Sequence, residues 1–266
     1  MRQQKVNFRK EGSVATITLN RPEVRNALSP DMLDDLARAL DDCKDREVRA
    51  VVITGSSGAF CSGADVRDFT HALERGPQGL SSHLKDLADR LHRNAVLKVR
   101  QLPKPVIASM SGIAAGGGFS LALACDLRIA SQETRFFMAY ANIGATADGG
   151  STYYLPRLVG AGRAMEVYLM NQPISAQRAF DIGLVNLVVP SDQLERHTQE
   201  MVQRLASGPT LAYGRVKALM DRSWTSDIGS QLDEESQNIS EIALTRDFQE
   251  GITAFVEKRA PRFRGE

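Results

Sequence analysis

Apolar positions along this chain switch repeatedly between two periods. "SVATITL" (residues 13–19) alternates, is rich in β-branched residues and reads as a strand that "NRP" then ends. In "SPDMLDDLARALDDC" (29–43) the period lengthens. Met32, Leu33, Leu36, Leu40 and Cys43 fall on one helical face, with Ser29 placed as N-cap and Pro30 opening the first turn. Four further runs are short and continuously apolar: "RAVVITG" (49–55), "PVIASMSG" (105–112), "DLRIAS" (126–131) and "LVNLVV" (184–189). Such runs suit strands buried on both faces. Helical stretches separate them, so the order strand, helix, strand through about residue 190 predicts an α/β domain with a largely parallel sheet.

After Pro190 only the helical period remains. "DQLERHTQEMVQRLA", "TLAYGRVKALMDRSW" and the run 229–258 all carry it, which divides the chain into a core (1–194) and a C-terminal helical region (195–266). "HALERGPQGLSS" (71–82) is punctuated by Gly and Pro and is expected to be a mobile loop.

Composition narrows the class. The chain is 42% hydrophobic and 24% charged, with 33 basic and 32 acidic residues and a net charge of +1. That balance gives no global reason to expect nucleic acid or membrane partners. Cys43, Cys61 and Cys125 are far apart and form no CxxC pair, so they read as reduced thiols, not a disulfide framework or zinc site. The charged start "MRQQKVNFRKEG" lacks the apolar centre of a signal peptide, and no apolar run is long enough to span a bilayer. A cytoplasmic location is expected.

Two glycine motifs carry candidate chemistry. "FCSGADVRDF" (60–69) is a turn leading from a strand towards a short helix. In "IAAGGGFSLALACDL" (113–127), Gly116–Gly118 open a helix that is apolar all round and therefore buried. The N–H groups at its start are unpaired and lie at the positive end of the dipole, which suits a phosphate or a developing oxyanion. "GGGFSL" lacks the third glycine of a dinucleotide fingerprint, and no G-K-[ST] follows, so nucleotide phosphates are disfavoured. "GFSLA" lacks the last glycine of a nucleophile elbow, which argues against Ser120 as a nucleophile. His71, His83, His92 and His197 lie in polar stretches and are expected only to be solvated. Asp148, in "NIGATADGGSTYYLP" (142–156), is a lone carboxylate among apolar and aromatic residues; a turn aspartate and a catalytic one both fit that pattern.

Taken together, "TLNRPEVRNAL", "AVVITGSSGAFCSGADV", "LPKPVIASMSGIAAGGGFSLALACDLRIAS", "LPRLVGAGRAME" and "AFDIGLVNLVV" resemble the enoyl-CoA hydratase/isomerase (crotonase) superfamily, in that family's order, from residue 6 to residue 264. The resemblance implies a spiral core of ββα turns and a C-terminal helical region that builds a homotrimer or a dimer of trimers. It also implies coenzyme A thioester substrates and an oxyanion hole made by the backbone N–H groups of Ala64 and Gly117. By the same resemblance Arg25, Ala27, Ala64, Asp65 and Val66 line the CoA path. Gly117 and Tyr140 face the substrate, and Phe255 and Lys258 contribute from the C-terminal helix of the same or a neighbouring subunit.

The departures from the family point to the reaction. A hydratase of this family carries two glutamates that handle water; this chain has Ser120 and Tyr140 there. One branch, which resembles the ring isomerases of phenylacetate breakdown, uses a single aspartate in the glycine turn, matched here by Asp148 in "ADGGST" and by the tail "DFQEGITAFVEKRAPRFRG". A second relative, 4-chlorobenzoyl-CoA dehalogenase, has an aspartate nucleophile at the position of Asp148 and an aromatic residue at that of Tyr140. "GRAMEVYLMNQPIS" resembles it as well, although its histidine would fall near Leu97 and His92 does not align with it. The expected activity is therefore an enoyl-CoA isomerase in which Asp148 is the single acid and base, with no metal, flavin or nicotinamide. The alternatives are an aryl- or acyl-CoA hydrolase or dehalogenase with Asp148 as nucleophile, an enoyl-CoA hydratase, and a CoA-ester-binding protein without catalysis.

Overall fold

The computed structural model describes residues 4–266; Met1–Gln3, the first part of the charged start, lie outside the described residues. The strands are β1 (Val6–Glu11), β2 (Val14–Leu19), β3 (Ala50–Gly55), β4 (Val106–Met110), β5 (Ile113–Ala115), β6 (Leu127–Ser131), β7 (Arg135–Phe137), β8 (Ile174–Ser175) and β9 (Leu187–Val189). The helices of the core are α1 (Pro30–Asp42), α2 (Val66–Leu73), α3 (Gly76–Arg90), α4 (Leu97–Gln101), α5 (Gly116–Ala124), α6 (Ser151–Val159), α7 (Ala161–Met170) and α8 (Ala176–Asp181). Then come α9 (Leu194–Ala206), α10 (Thr210–Ser223), α11 (Ile228–Ile242) and α12 (Arg246–Val256).

A six-stranded sheet runs β1-β2-β3-β4-β6-β9, parallel except for the β1–β2 hairpin. A smaller sheet runs β5-β7-β8, with β5 and β7 parallel. The chain builds both sheets at once. It goes from β3 through a Cys61 bridge to α2, then β4-β5-α5, then β6-β7 and on to α6. Each pass adds one strand to the large sheet and one pairing to the small sheet, since Cys61 bridges Ala114 of β5 and β5 pairs β7. The result is a spiral of ββα turns.

Both faces of the large sheet are covered, which is why its strands read as continuous apolar runs. One face packs Ile17, Leu19, Val51, Ile53 and Ala108 against Met32, Leu33 and Leu36 of α1 and Phe119 of α5. The other places Val14, Ala50, Val52, Ile107 and Ile129 against Val202 and Ala206 of α9. Ser29 caps α1 by accepting from Met32 N–H, and the face Met32, Leu33, Leu36, Leu40, Cys43 is fully buried. The three cysteines are free and buried, and burial pushes each thiol up to about 12.

Two local expectations are corrected. Residues 71–82 are not a loop: the end of α2 and the start of α3 occupy them. Gly76 has φ 83 and Pro77 lies in the first turn of α3, so the Gly-Pro pair marks a helix start, where proline loses no hydrogen bond. The run 229–258 is not one helix, because it breaks after Ile242. Thr245 restarts it by capping α12, accepting from Phe248 N–H at 3.2 Å. Among the described residues no helix is long and apolar enough to cross a membrane.

The last helices are tied down by polar contacts. Lys217 of α10 is buried and donates to Val99 O and to Asp126 at 2.9 Å. The buried Asp247 of α12 accepts from the N–H groups of Arg264 and Gly265, holding the tail. α11, α12 and the turn between them nevertheless expose large side chains, including Leu244 of the turn at 81% and Phe255 of α12 at 85%.

Candidate active site

The site grows from the carboxyl ends of β3 and β4, where the chain leaves the sheet. Leu28 N–H donates to Gly63 O, Asp65 N–H donates to Leu28 O, and Ala115 N–H donates to Cys61 O. These bonds clamp residues 61–65 between 25–28 and the β5 strand. Gly118 is needed for the closeness: a Cβ there would stand 2.5 Å from Cys61 Cβ. Gly63 and Gly116 also meet, since a Cβ on Gly116 would lie 3.7 Å from Gly63 Cα. Ala64 and Gly117, the next residue in each segment, are thus neighbours. Among the described residues neither N–H has a backbone acceptor. Every residue of α5 is buried, so its free N–H groups lie in a low-dielectric place, where such donors act strongly on a developing negative charge.

Asp148 stands at the start of α6, half-buried. Its carbonyl accepts from Ser120 Oγ at 3.0 Å, Ser151 Oγ at 2.8 Å and Ser151 N–H at 3.1 Å. Its carboxylate Oδ1 accepts from the Tyr140 hydroxyl at 2.6 Å. Ser120 Oγ lies 3.2 Å from the same hydroxyl. The three residues singled out from the sequence, Ser120, Tyr140 and Asp148, therefore form one hydrogen-bonded group. Burial, and then the negative charge of Asp148, hold the Tyr140 phenol far above its ordinary range, so it stays protonated and donates. Gly149 is required beside them. Its φ is 62, and a Cβ would stand 2.5 Å from Ser120 Cβ.

The expectation that His92 is merely solvated is corrected. His92 is half-buried in the π-helical turn Leu91–Val96, and its Nε2 accepts from Gly149 N–H at 3.1 Å. A histidine thus does reach the Asp148 turn, although the sequence reading placed the equivalent residue nearer Leu97. A turn of π-helix shifts which residues face the core, and sequence periodicity does not reveal it.

On the proposed CoA path, Arg25, Ala27, Ala64, Asp65 and Val66 are brought together by the Leu28–Ala64 bridge. Arg25 has φ 52 and is exposed, as is Val66, whereas Ala27 is buried. The Asp65 side chain is already engaged, because Arg67 and Arg21 both donate to it, Arg21 at 2.8 Å. Hydrogen bonds from Arg67, against the cost of burial, and then from Arg21 hold its carboxyl well below the usual carboxylate range. Arg21, which the sequence reading missed, also donates to Ala27 O and so shapes this path. Phe255 is not part of the cluster within one chain. It lines a separate apolar groove of about 410 Å³ with Leu211, Ile252 and Phe263. Lys258 follows α12 with φ 55 and is exposed.

The sequence matches the enoyl-CoA hydratase/isomerase family over residues 9–266. It is 35% identical over 257 residues to the 1,2-epoxyphenylacetyl-CoA isomerase of Escherichia coli K12, covering 96% of this chain and 97% of that protein. It is 36% identical over 258 residues to the short-chain-enoyl-CoA hydratase of Clostridium acetobutylicum, covering 96% and 95%. An enoyl-CoA hydratase structure from Polaromonas sp. JS666 superposes with a TM-score of 0.91 at 33% identity, covering 97% of this chain and 99% of that one. The ββα spiral with its C-terminal helices is thus the fold of crotonase-type acyl-CoA enzymes. Within that class the chain belongs to the enoyl-CoA hydratase/isomerase family.

Proposed function

We propose that the protein is an enoyl-CoA isomerase that moves a double bond through a thioester dienolate, with Asp148 as the single acid and base. The observation that carries this reading is the Ser120–Tyr140–Asp148 group. Where a two-glutamate hydratase has its pair of carboxylates, this chain has two hydroxyls, and both bind Asp148. One carboxylate suffices for a shift on one face of the substrate. The α C–H bond breaks and its proton passes to Asp148. The electron pair spreads over the dienolate, whose oxygen lies between the N–H groups of Ala64 and Gly117. The γ-carbon then takes the proton and the double bond settles between the α- and β-carbons. Losing one donor of such an oxyanion hole costs about 10²–10³ in rate.

CoA lies along Arg25, Ala27, Ala64, Asp65 and Val66 in this reading, Asp65 contributing through its backbone because its carboxylate is engaged. The apolar side chains exposed on α11 and α12 suit burial between subunits of a trimer, with Phe255 and Lys258 supplied across that interface. Relatives carry both isomerase and hydratase names, so the deciding experiment compares the two reactions. A panel of straight-chain and aromatic 3-enoyl-CoA esters is followed for isomerisation, and crotonyl-CoA is followed for loss of conjugated thioester absorbance. Isomerisation is expected to be much faster. Hydration as fast as isomerisation would overturn the one-base reading.

A second reading is favoured by His92, which brings an imidazole to the Asp148 turn. In it, Asp148 attacks an aryl- or acyl-CoA as nucleophile and the imidazole activates the water that releases the product. Acceptance of the Gly149 N–H occupies Nε2 and argues against that role. A covalent adduct on Asp148 seen by mass would establish it.

A further inference from the structure

We infer that Tyr140 is a positioning residue that fixes which oxygen of Asp148 carries the proton: Oδ1 is held by the phenol, and Oδ2 takes the substrate proton and gives the same proton back. The inference rests on the reading of Asp148 as acid and base.

Three observations lead there. The Tyr140 hydroxyl lies 2.6 Å from Asp148 Oδ1, in the range of a charge-assisted O–H···O bond. An ionised carboxylate has no proton to offer, so the phenol is the donor. Asp148 Oδ2 has no hydrogen-bond partner among the described residues and is the oxygen left for substrate. The backbone that delivers Tyr140 is strained for the purpose. Ala139 has φ 63, a left-handed conformation that a residue with a Cβ rarely adopts. That turn swings Tyr140 back from the end of β7 towards α5. It is bolted in place from α7, since Ala139 N–H donates to Asn171 Oδ1 at 3.0 Å and Asn171 Nδ2 donates to Asn142 Oδ1 at 2.7 Å.

The chemistry follows from the number of protons. In the resting state Tyr140 O–H donates to Oδ1. When the α C–H bond breaks, the proton joins Oδ2, and the electron pair stays on the dienolate. Oδ1, now the carbonyl-like oxygen of a carboxylic acid, continues to accept from Tyr140. The carboxyl group therefore does not rotate, and the O–H on Oδ2 points at the substrate until the γ-carbon takes it. Without the phenol the group is free to turn about χ2 and exchange its proton with water before returning it.

The test uses an unlabelled 3-enoyl-CoA in deuterated water, with the product weighed at low conversion. The unmodified protein is expected to deliver more than half of its product without deuterium. Tyr140→Phe, which keeps the ring and removes the hydroxyl, is expected to lower kcat about 10- to 100-fold with KM within about twofold. Its product is expected to approach one deuterium per turnover. A merely structural Tyr140 would change rate or stability without changing that isotope content. Unchanged kcat and isotope content in a folded Tyr140→Phe protein would overturn the inference, as would complete deuteration by the unmodified protein. Should Tyr140→Phe not fold, the unmodified protein still decides between retention and washout. Asp148→Asn separates the two levels. If it keeps turnover, the acid–base reading itself falls; if it is inactive while Tyr140→Phe behaves normally, only the role of Tyr140 falls.

Discussion

The two halves of the site are held in different ways. The side proposed to hold the oxyanion, Cys61–Ala64 and Gly116–Ala124, is held by backbone hydrogen bonds and glycine contacts inside the core. The carboxylate side is a segment whose residues 141–146 are all exposed, fixed by side-chain bonds from Ser120, Tyr140, Ser151, Asn171 and His92. Backbone donors belong to the fold and are shared by any chain that adopts it. The carboxylate side is written in side chains, so chains that share the fold are free to differ there. Changes to the first half should cost the fold as well as the rate. Changes to the second should cost rate first.

The largest expected effect is on the second half. Asp148→Ala should lower turnover by about 10²–10⁴ with CoA-ester binding nearly intact, measured by single-turnover kinetics and calorimetry. Near-normal turnover would remove the basis of the comparison. Gly117→Val probes the first half. A Cβ there would lie 3.1 Å from both Leu28 Cδ1 and Leu91 Cδ2, so the branched side chain disturbs packing as well as the proposed oxyanion donor. A rate loss of about 10²–10³ should come with about 1–3 kcal/mol of destabilisation, read together by kinetics and denaturant melts. A rate loss without destabilisation would show that the frame is softer than its contacts imply.

Gly149→Ala lies at the junction of the halves. The left-handed φ and the approach to Ser120 should displace Asp148 and lower kcat by up to about 10²-fold, with little change in KM. The smallest effect is expected at His92. His92→Phe leaves the buried Gly149 N–H without an acceptor, at a cost of about 1–3 kcal/mol in a melt, whereas His92→Gln should lose less because its amide oxygen can accept. If His92→Gln folds normally yet loses turnover by more than about 10²-fold, the imidazole is a base and the nucleophilic reading gains.

The same contrast explains what was legible in the sequence. Ser29, Pro30 and the face Met32 to Cys43 announced α1 because capping and periodicity are local. The burial of α5 followed from its composition alone. The glycines of 116–118 marked the start of a buried helix, but not Cys61 as the surface they meet, since that contact joins segments over 50 residues apart. Gly76-Pro77 misled because the same pair that ends one element opens another. Asp148 stood out as a charge in apolar surroundings. Tyr140 stood out by resemblance as a replaced glutamate, but its bond to Asp148 did not, nor did His92 as a partner, because Tyr140 reaches Asp148 through a left-handed Ala139 and His92 through a π-helical turn. Neither conformation leaves a mark in hydrophobic pattern.

The burial of the cysteines gives the molecule a built-in reporter of opening. With each thiol pushed well above its ordinary range by burial and shielded from solvent, almost none is ionised near pH 7. Alkylating reagents should therefore pass the folded chain by. Cys43 sits at the end of α1, Cys61 in the segment that follows β3 and bridges β5, and Cys125 at the end of α5, so the order in which iodoacetamide marks them would record which part of the spiral unwinds first.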